Sequence, residues 1–462
     1  MSTYIAQDGI RHDEKQADSA HISDDSCHTT QPVNTFHTVP EHLHPNRPMR
    51  WPSWLRHFCL FQIALNGSMV GFTGAITIPA QQALAKRFST SLQEASYVTS
   101  SHVLLLGLGP LLWSPLTNRF GRRICLTLGM LISFASNLGS AYAESYGALI
   151  AARVIQGIGI STGASMGAAV VVELFAPEHR ATKLNVWSVM VTAGPAIGAL
   201  IGGFLVEAMG WRWTFFLSAI INGAEAVLYA LTFPETHWAD SRPIPLRERF
   251  GFYMNREAKL SVMDFFRPVL FLQNPAMVLM ILLYGCSFGF ISVGLSITLP
   301  QVFIPVYNFS PSATGLVFIS YIIGALLGGQ VGGRMSDMIM NRHARQRKMK
   351  GMEPRYEHRF VAVLPGYILS IVGLVIFGVT LEAATHWSGP VVAFGIAQAG
   401  LQVVMNVVNT YCIDCYQTHA LDVTVYLNTL RQIIGFSAGF WIPPLERSCG
   451  FGLGIGILAI VL

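Results

Sequence analysis

The chain has 462 residues, of which 52% are hydrophobic and 12% charged, and its formal net charge is +5. Ordinary soluble domains carry roughly 25% charged residues. The composition of this chain therefore excludes an ordinary soluble domain and indicates a protein that crosses the membrane several times. The apolar core of a cleavable signal peptide is missing from the N-terminal tail, so we expect the first apolar segment to act as an uncleaved insertion signal.

Residues 1–50 are polar and rich in His, Asp, Ser and Thr, which predicts a disordered cytoplasmic tail. Apolar windows of about 20 residues, the length that crosses a bilayer core, follow along the chain. They lie at 58–79, 97–117, 124–143, 147–169, 186–207, 213–233, 275–298, 315–334, 361–381, 389–411 and 421–443. A twelfth window runs only from Gly450 to Leu462, which predicts a truncated last helix.

The basic residues follow the second, fourth, sixth and eighth windows, and the alternate loops carry few of them. Because Lys and Arg accumulate in cytoplasmic loops, this pattern predicts that both termini are cytoplasmic. Nucleic-acid binding is a poorer interpretation of the same basic runs, since they adjoin the apolar windows.

Two windows carry glycines four residues apart on one helical face. They are Gly194, Gly198 and Gly202 in the fifth window, and Gly324, Gly328 and Gly332 in the eighth. Small residues at this spacing let membrane helices approach backbone to backbone, and Pro195 requires neighbours that satisfy a freed carbonyl group. One such helix in each half is typical of a secondary transporter whose two bundles rock against each other.

The windows fall into two halves around a long basic loop. This predicts a six-helix bundle at 51–233, a cytoplasmic basic linker at 234–274 and a C-terminal helix bundle at 275–462. The predicted fold class is an all-α membrane protein with two pseudo-symmetric six-helix bundles and twelve transmembrane helices.

Three short motifs lie in the first half. Residues 114–123 read SPLTNRFGRR, residues 153–157 read RVIQG and residues 194–198 read GPAIG. They resemble the patterns G-x-x-x-D-R-x-G-R-R, R-x-x-Q-G and G-P-x-x-G of the major facilitator superfamily, specifically of fungal members of its twelve-helix drug:proton antiporter branch. The resemblance covers the chain from about Trp51 onward and implies that the first, fourth, seventh and tenth helices line a central cavity.

The loop motif departs from the family pattern, because Ser114 stands where the family has Gly and Asn118 where it has Asp. The resemblance implies conformational roles for the following residues: Asn118, Arg119, Gly121, Arg122, Arg123, Gly194, Pro195, Gly198 and Asp337. Asn118 can accept a hydrogen bond but supplies no Coulombic attraction. The lock that the family's Asp forms is therefore weaker here or shifted to Asp337, and the sequence leaves both alternatives open.

Arg153 lies early in the fourth window among apolar residues. A cation at that depth costs about 2.5–3.5 kcal/mol on insertion scales, so it faces a wet cavity, a partner or the nearest interface. The resemblance implies a role in proton coupling for Arg153, with Gln156 one turn away. Candidate protonatable partners are Glu225, which is equally compatible with a structural role, and then His102 and Asp422.

The tenth window carries an amide stripe formed by Gln398, Gln402, Asn406 and Asn409. Such amides either line an aqueous cavity or join helices. Gln62, Asn66 and Thr73 form a weaker stripe in the first window, and Tyr284 and Phe288 offer aromatic faces in the seventh. The predicted substrate-binding residues are Gln62, Asn66, Tyr284, Gln398, Gln402 and Asn406. Amides without matching carboxylates favour an uncharged or amphiphilic ligand over a metal ion.

The sequence therefore predicts a secondary active transporter that exports small organic molecules, such as drugs or secondary metabolites, coupled to protons. One alternative is an importer or uniporter of a small polar nutrient, and another is a non-transporting sensor or an inactive truncated fragment. The water-facing segments show no catalytic nucleophile with its base, metal-ligand set or phosphate loop, so no enzyme, cofactor or metal site is expected. The expected partners are a small-molecule substrate, protons and the lipid bilayer, with no nucleic acid, for a monomer in the plasma membrane or the vacuolar membrane.

Overall fold

A computed structural model of the protein describes residues 48–175, 177–236, 246–251, 255, 260–349, 360–416 and 420–462. The described part is helical and contains no strand. Its N-terminal half consists of α1 (Ser53–Ala75), α2 (Leu92–Phe120), α3 (Arg122–Ala141), α4 (Tyr146–Leu174), α5 (Pro177–Met209) and α6 (Arg212–Thr232). Of the predicted tail and linker, residues 1–47, 237–245, 252–254 and 256–259 lie outside the described residues.

The C-terminal half begins with α7, which comprises Pro275–Ser287, a π-helical segment Phe288–Gly294 and Leu295–Tyr307. The remaining helices are α8 (Pro311–Met349), α9 (Val363–Glu382), α10 (Ser388–Cys415), α11 (Ala420–Cys449) and α12 (Phe451–Val461).

Ten helices of the described part are long and apolar enough to cross a membrane. α11 is also long, with 30 residues, but it carries more polar side chains, and α12 has 11 residues. Large apolar side chains lie exposed on the outside of the helices, for example Leu231 at 70% and Leu327 at 60%, as expected where lipid replaces water. The predicted all-α membrane fold is confirmed.

The helix ends follow from local sequence signals. Ser91 and Glu94 form a capping box at the start of α2. Gly121 separates α2 from α3 with a φ of +80°, and Gly450 separates α11 from α12 with a φ of +82°. Only glycine adopts such a conformation at little cost, so both residues let one helix follow another directly.

Each glycine-ridged helix packs inside its own half. A Cβ at Gly194, Gly198 or Gly202 of α5 would lie 2.1–2.4 Å from a backbone oxygen of α1 or of Ile76, the residue that follows it. A Cβ at Gly324 or Gly328 of α8 would lie 2.1 or 2.2 Å from a backbone oxygen of α10. The predicted backbone-to-backbone approach therefore occurs between α1 and α5 and between α8 and α10, where only a glycine hydrogen fits.

The two halves contact each other through α2 with α11 and α5 with α8. Tyr97 stacks on Phe440 with ring centroids 4.5 Å apart, and the hydroxyl of Thr429 donates to the Gly107 carbonyl at 2.8 Å. Tyr97 lies near the start of α2 and Gly107 near its middle, and their partners lie in the part of α11 beyond its first two turns. We call the end of the molecule that carries the α1–α2 connection the closed end, because the described contacts between the halves gather toward it.

Candidate substrate cavity

A cavity of about 270 Å³ lies between the two halves. The contacts of α2 with α11 and of α5 with α8 separate it from the closed end. The N-terminal half contributes side chains from α1, α2, α4 and α5, and the C-terminal half contributes side chains from α7, α8, α10 and α11. The wall is mainly apolar, with amides and hydroxyls at a few points. Such a cavity suits an organic molecule whose polar groups are few and defined in position.

The predicted amide stripe of α10 is divided between two environments. Gln398 and Gln402 line the cavity together with Asn409. Asn406 lies in a smaller cleft between α5, α8 and α10, where its amide donates to the Gly329 carbonyl at 3.3 Å. The two alternatives that the sequence left open therefore both apply to this stripe, since three of its amides line the cavity and Asn406 joins α10 to α8.

The predicted amides of α1 lie away from the cavity. Gln62 donates to the Thr232 hydroxyl at 2.6 Å, and Asn66 donates to Glu225 Oε2 at 3.3 Å. Both amides are buried inside the N-terminal half, against α3 and α6. The face of α1 toward the cavity consists instead of residues such as Val70 and Gly74, and a Cβ at Gly74 would lie 2.8 Å from the His102 ring.

Arg153 is fully buried within the N-terminal half. Its guanidinium donates to the carbonyls of Val98 (3.1 Å) and Thr73 (3.0 Å) and to Gln156 Oε1 (3.0 Å), and it lies 5.7 Å from the Phe215 ring. The side chain thus joins α1, α2, α4 and α6 and does not snorkel to an interface. Its acceptors are neutral oxygens, and Nη2 has no hydrogen-bond partner in the described residues.

His102 lies between this buried arginine and the cavity. The ring is fully buried, it belongs to the cavity wall, and its Nε2 is 3.3 Å from the Val70 carbonyl oxygen. A Cβ at Gly157, the residue that follows Gln156, would touch the backbone of His102 at 3.2 Å. The backbone of His102 therefore packs on the α4 segment that carries Arg153, while its ionisable side chain borders the cavity.

Glu225 is buried, with 3% of its surface exposed, and it does not line the cavity. Asn66 donates to one of its oxygens, and the other, Oε1, has no hydrogen-bond partner in the described residues. This pair lies in the core of the N-terminal half, and among the described residues no hydrogen bond joins it to Arg153 or Gln156.

The loop motif between α2 and α3 is held by two glutamates that the motif itself does not contain. Arg122 forms a salt bridge with Glu173 at the end of α4, at 2.5 Å. Glu235, which follows α6, accepts the backbone N–H groups of Arg122 at 2.9 Å and Arg123 at 3.1 Å. The first two N–H groups of α3 are thereby capped by a buried carboxylate, at the end of the helix dipole that favours negative charge.

The other residues of the motif lie around this cap. Arg123 also donates to the Ala230 and Phe250 carbonyls, and the Arg119 carbonyl accepts the N–H of Asn255 at 2.8 Å. Asn118 and Asp337 are both exposed. Sequence reasoning missed Glu173 and Glu235 as parts of this network because they lie about 50 and 110 residues from Arg122, although the Pro-Glu-Thr string at 234–236 was visible as a signal.

Pro195, the proline of the fifth-helix motif, lines the cavity, and a Cβ at Gly71 of α1 would lie 2.4 Å from its ring. Gly194 and Gly198 lie beside it on the face that packs on α1. The motif therefore both sets the distance between α1 and α5 and forms part of the cavity wall.

Arg431 of α11 is a cavity residue that sequence reasoning missed. It donates to the Tyr284 hydroxyl at 2.8 Å and to Asn428 Oδ1 at 2.7 Å, and its guanidinium lies 4.6 Å from the Phe288 ring centroid. The signal was present, since a lone arginine inside an apolar window is costly and functional by default. The π-helical segment of α7 begins at Phe288, as such segments often do beside functional sites.

Two helix bundles around a cavity that both halves line define a multi-pass membrane transporter. The chain belongs to the Major Facilitator Superfamily, whose family model matches residues 63–439. The family and the fold expected from the three motifs are thus confirmed.

Several fungal transporters are similar over most of the chain. The MFS transporter cpaT of Aspergillus oryzae is 29% identical over 435 residues, which cover 90% of this chain and 86% of that protein. The efflux pump radE of Floropilus chiversii is 26% identical over 90% of this chain and 79% of its own length. Among solved structures, a bacterial homologue of the human lysosomal transporter Spinster, in an inward-facing and unoccupied conformation, has a TM-score of 0.60 at 17% identity and covers 88% of this chain and 89% of its own.

Proposed function

We propose that this protein exports small organic molecules, such as drugs or secondary metabolites, in exchange for protons. The observation that carries the proposal is the cavity between the halves, with the contacts between α2 and α11 and between α5 and α8 lying to one side of it. If the basic loops are cytoplasmic, as their charge predicts, the closed end is external and the cavity receives its substrate from the cytoplasm. Relatives that are named efflux pumps support the same direction.

The proposed proton carrier is His102. Coupling requires a group that changes charge and that senses whether the cavity is occupied. His102 borders the cavity, whereas Glu225 is enclosed in the core of the N-terminal half. Arg153 and Gln156 hold the adjoining part of α4 against α1 and α2, so a charge change at His102 acts on the packing of these three helices.

The test is transport by the purified full-length protein in liposomes. Vesicles with an acidic lumen are given external fluorescein or rhodamine 6G, and uptake is followed with and without nigericin, which dissipates the pH gradient. We expect uptake of at least one dye against its concentration gradient, and we expect nigericin to abolish it. Failure to accumulate either dye in vesicles that contain folded protein contradicts the proposal.

A uniporter is the second candidate, and one observation favours it. None of the described residues that line the cavity is an Asp or a Glu. A uniporter would bring the dye to equal concentrations on both sides of the membrane and would not accumulate it in the lumen. Nigericin would leave the rate of this uptake unchanged. The same experiment therefore separates the two functions.

We place the protein in the plasma membrane as a monomer with both termini in the cytoplasm, with the vacuolar membrane as the alternative. The basic loops support this orientation. A fluorescent tag at the N-terminus that resists external protease in intact cells, and that outlines the cell surface, is the expected result.

A further inference from the structure

We infer that Arg431 forms an anion-binding subsite in the cavity, so that the transported molecule is an organic anion with a flat apolar body and a carboxylate. The inference rests on the proposed function, in which this cavity receives the substrate. It goes beyond the uncharged or amphiphilic ligand that the amide stripe alone predicts.

The first argument is an unbalanced charge. Arg431 is the one Lys or Arg among the described residues that line the cavity, and no carboxylate lines it. The acceptors that Arg431 contacts are the Tyr284 hydroxyl, the Asn428 amide oxygen and, at 3.8 Å, the Met405 sulfur, all of them neutral. A cation deep in a membrane protein normally pairs with an opposite charge, and a substrate anion would supply one here.

The second argument is the hydrogen-bonding capacity of the guanidinium. Arginine carries five N–H groups, and the contacts to Tyr284, Asn428 and Met405 use three of them. Nε is buried and has no hydrogen-bond partner in the described residues. Carboxylates accept two parallel N–H groups from arginine, which makes them better ligands for this group than a single neutral oxygen.

The third argument is the surroundings of the guanidinium. The ring centroids of Phe288 and Tyr284 lie 4.6 and 5.6 Å from it, so two aromatic faces hold the charge in place. Tyr321 and Phe318 of α8 line the same cavity and add further aromatic wall. A planar ring bearing a carboxylate matches this arrangement, with the ring against the aromatic wall and the carboxylate at Arg431.

The position of Arg431 excludes a purely peripheral role. It is the twelfth residue of a 30-residue helix, so it lies near the middle of α11. Arg447, on the same helix, is exposed and outside the cavity wall. The two arginines therefore offer a matched comparison in which one positive charge is removed from α11 inside or outside the cavity.

The experiment measures equilibrium binding of two xanthene dyes to the full-length protein in nanodiscs, with empty nanodiscs subtracted. Fluorescein is anionic and carries a free carboxylate, whereas rhodamine 6G is a cationic ester of similar shape. We expect the wild type to prefer fluorescein, Arg431→Gln to weaken fluorescein binding about tenfold or more, and Arg431→Lys to weaken it less. Arg447→Gln is expected to bind as the wild type does.

A measurement without any variant covers the case in which Arg431→Gln does not fold. Competition against the bound dye is compared for 2-naphthoate and its neutral amide, 2-naphthamide, on the wild-type protein. We expect the carboxylate to compete at least about tenfold better. Equal competition by acid and amide, a preference for rhodamine 6G, or unchanged fluorescein binding in Arg431→Gln would each overturn the inference.

Binding in nanodiscs needs no ion gradient, so the two proposals fail in different ways. Arginine-dependent binding of fluorescein without gradient-driven uptake in liposomes supports the subsite and contradicts proton-coupled export. Gradient-driven uptake of fluorescein that proceeds equally well in the wild type and in Arg431→Gln supports export and contradicts the subsite.

Discussion

At the scale of single residues, His102 is the side chain with the strongest link between the cavity and the buried polar core. It is fully buried, it belongs to the cavity wall, and it contacts the Val70 carbonyl of α1. We expect His102→Gln to lower gradient-driven dye uptake about tenfold or more, because glutamine cannot take up a proton and the pH gradient then no longer drives transport. The measurement is uptake into acid-lumen liposomes.

Exchange provides the control for this variant. Liposomes preloaded with unlabelled dye and given labelled dye, without a pH gradient, are expected to exchange it at the wild-type rate, since substrate binding and the conformational change remain. Glu225→Gln is the comparison variant and is expected to retain gradient dependence. Loss of coupling in Glu225→Gln with normal coupling in His102→Gln would assign the proton to Glu225 instead.

Glu235 is the residue whose removal we expect to lower the stability of the protein. Its carboxylate caps the N-terminus of α3 through the N–H groups of Arg122 and Arg123, and only 1% of the residue is exposed. Glu235→Ala leaves both N–H groups without that acceptor, and we expect a loss of about 2 kcal/mol or more in the free energy of unfolding. The readout is the thermal melting temperature of the purified protein in detergent.

Glu144→Ala is the matched control, because Glu144 is exposed and lies between α3 and α4. Its melting temperature is expected to stay within about 1 °C of the wild type, as for most surface substitutions. Equal melting temperatures for Glu235→Ala and the wild type would show that the cap contributes little.

At the scale of helices, the glycine ridge of α5 sets the distance between α5 and α1. A Cβ at Gly198 would lie 2.4 Å from the Phe72 carbonyl oxygen. Because this oxygen belongs to the backbone, no side-chain rotation can remove the clash. We expect Gly198→Ala to destabilise the protein by about 1–3 kcal/mol, the usual cost of overpacking. Thermal melting in detergent measures it.

Gly333 of α8 is the control position, since nothing lies within 4 Å of a Cβ built there. Gly333→Ala is expected to be neutral or stabilising, by up to about 1 kcal/mol, because alanine loses less backbone entropy in a helix. The changes in stability of the two variants are thus expected to differ in sign. This difference would show that close packing, and not the replacement of any glycine in a helix, destabilises Gly198→Ala.

Helix positions were largely predictable from the sequence, whereas the faces of the helices were not. The windows at 124–143 and 147–169 correspond to α3 (Arg122–Ala141) and α4 (Tyr146–Leu174) within a few residues. Apolar length alone determines such positions. Polar residues at helical spacing identify a common face, but not the neighbour of that face. The sequence therefore predicts Gln62 and Asn66 at the cavity, whereas both lie in the core of the N-terminal half.

Contacts between residues that are far apart in the sequence could not be predicted either. Arg122 and Glu173 are separated by 51 residues, and Arg431 and Tyr284 by 147. Periodicity reports only neighbours within a helix, so such pairs require the tertiary structure. Arg431 was visible as an isolated charge, but its position in the cavity depends on how α11 packs beside α7.

At the scale of the whole molecule, the contacts between halves at the closed end can be trapped chemically. A Cβ built at Gly439 of α11 would lie 3.4 Å from the Cβ of Ser100 in α2. The Cβ atoms of a disulfide lie about 3.5–4.5 Å apart, so Ser100→Cys with Gly439→Cys is expected to cross-link the two halves in this conformation. The background must lack the seven native cysteines.

Alternation between two conformations requires these contacts to separate during each cycle. Oxidation of the double variant is therefore expected to stop dye uptake almost completely, and dithiothreitol is expected to restore it. Each single cysteine variant should be insensitive to both treatments, which separates the cross-link from damage by the oxidant. Undiminished uptake by a fully cross-linked protein would mean that α2 and α11 stay together throughout transport, and the two halves would then have to move about some other contact.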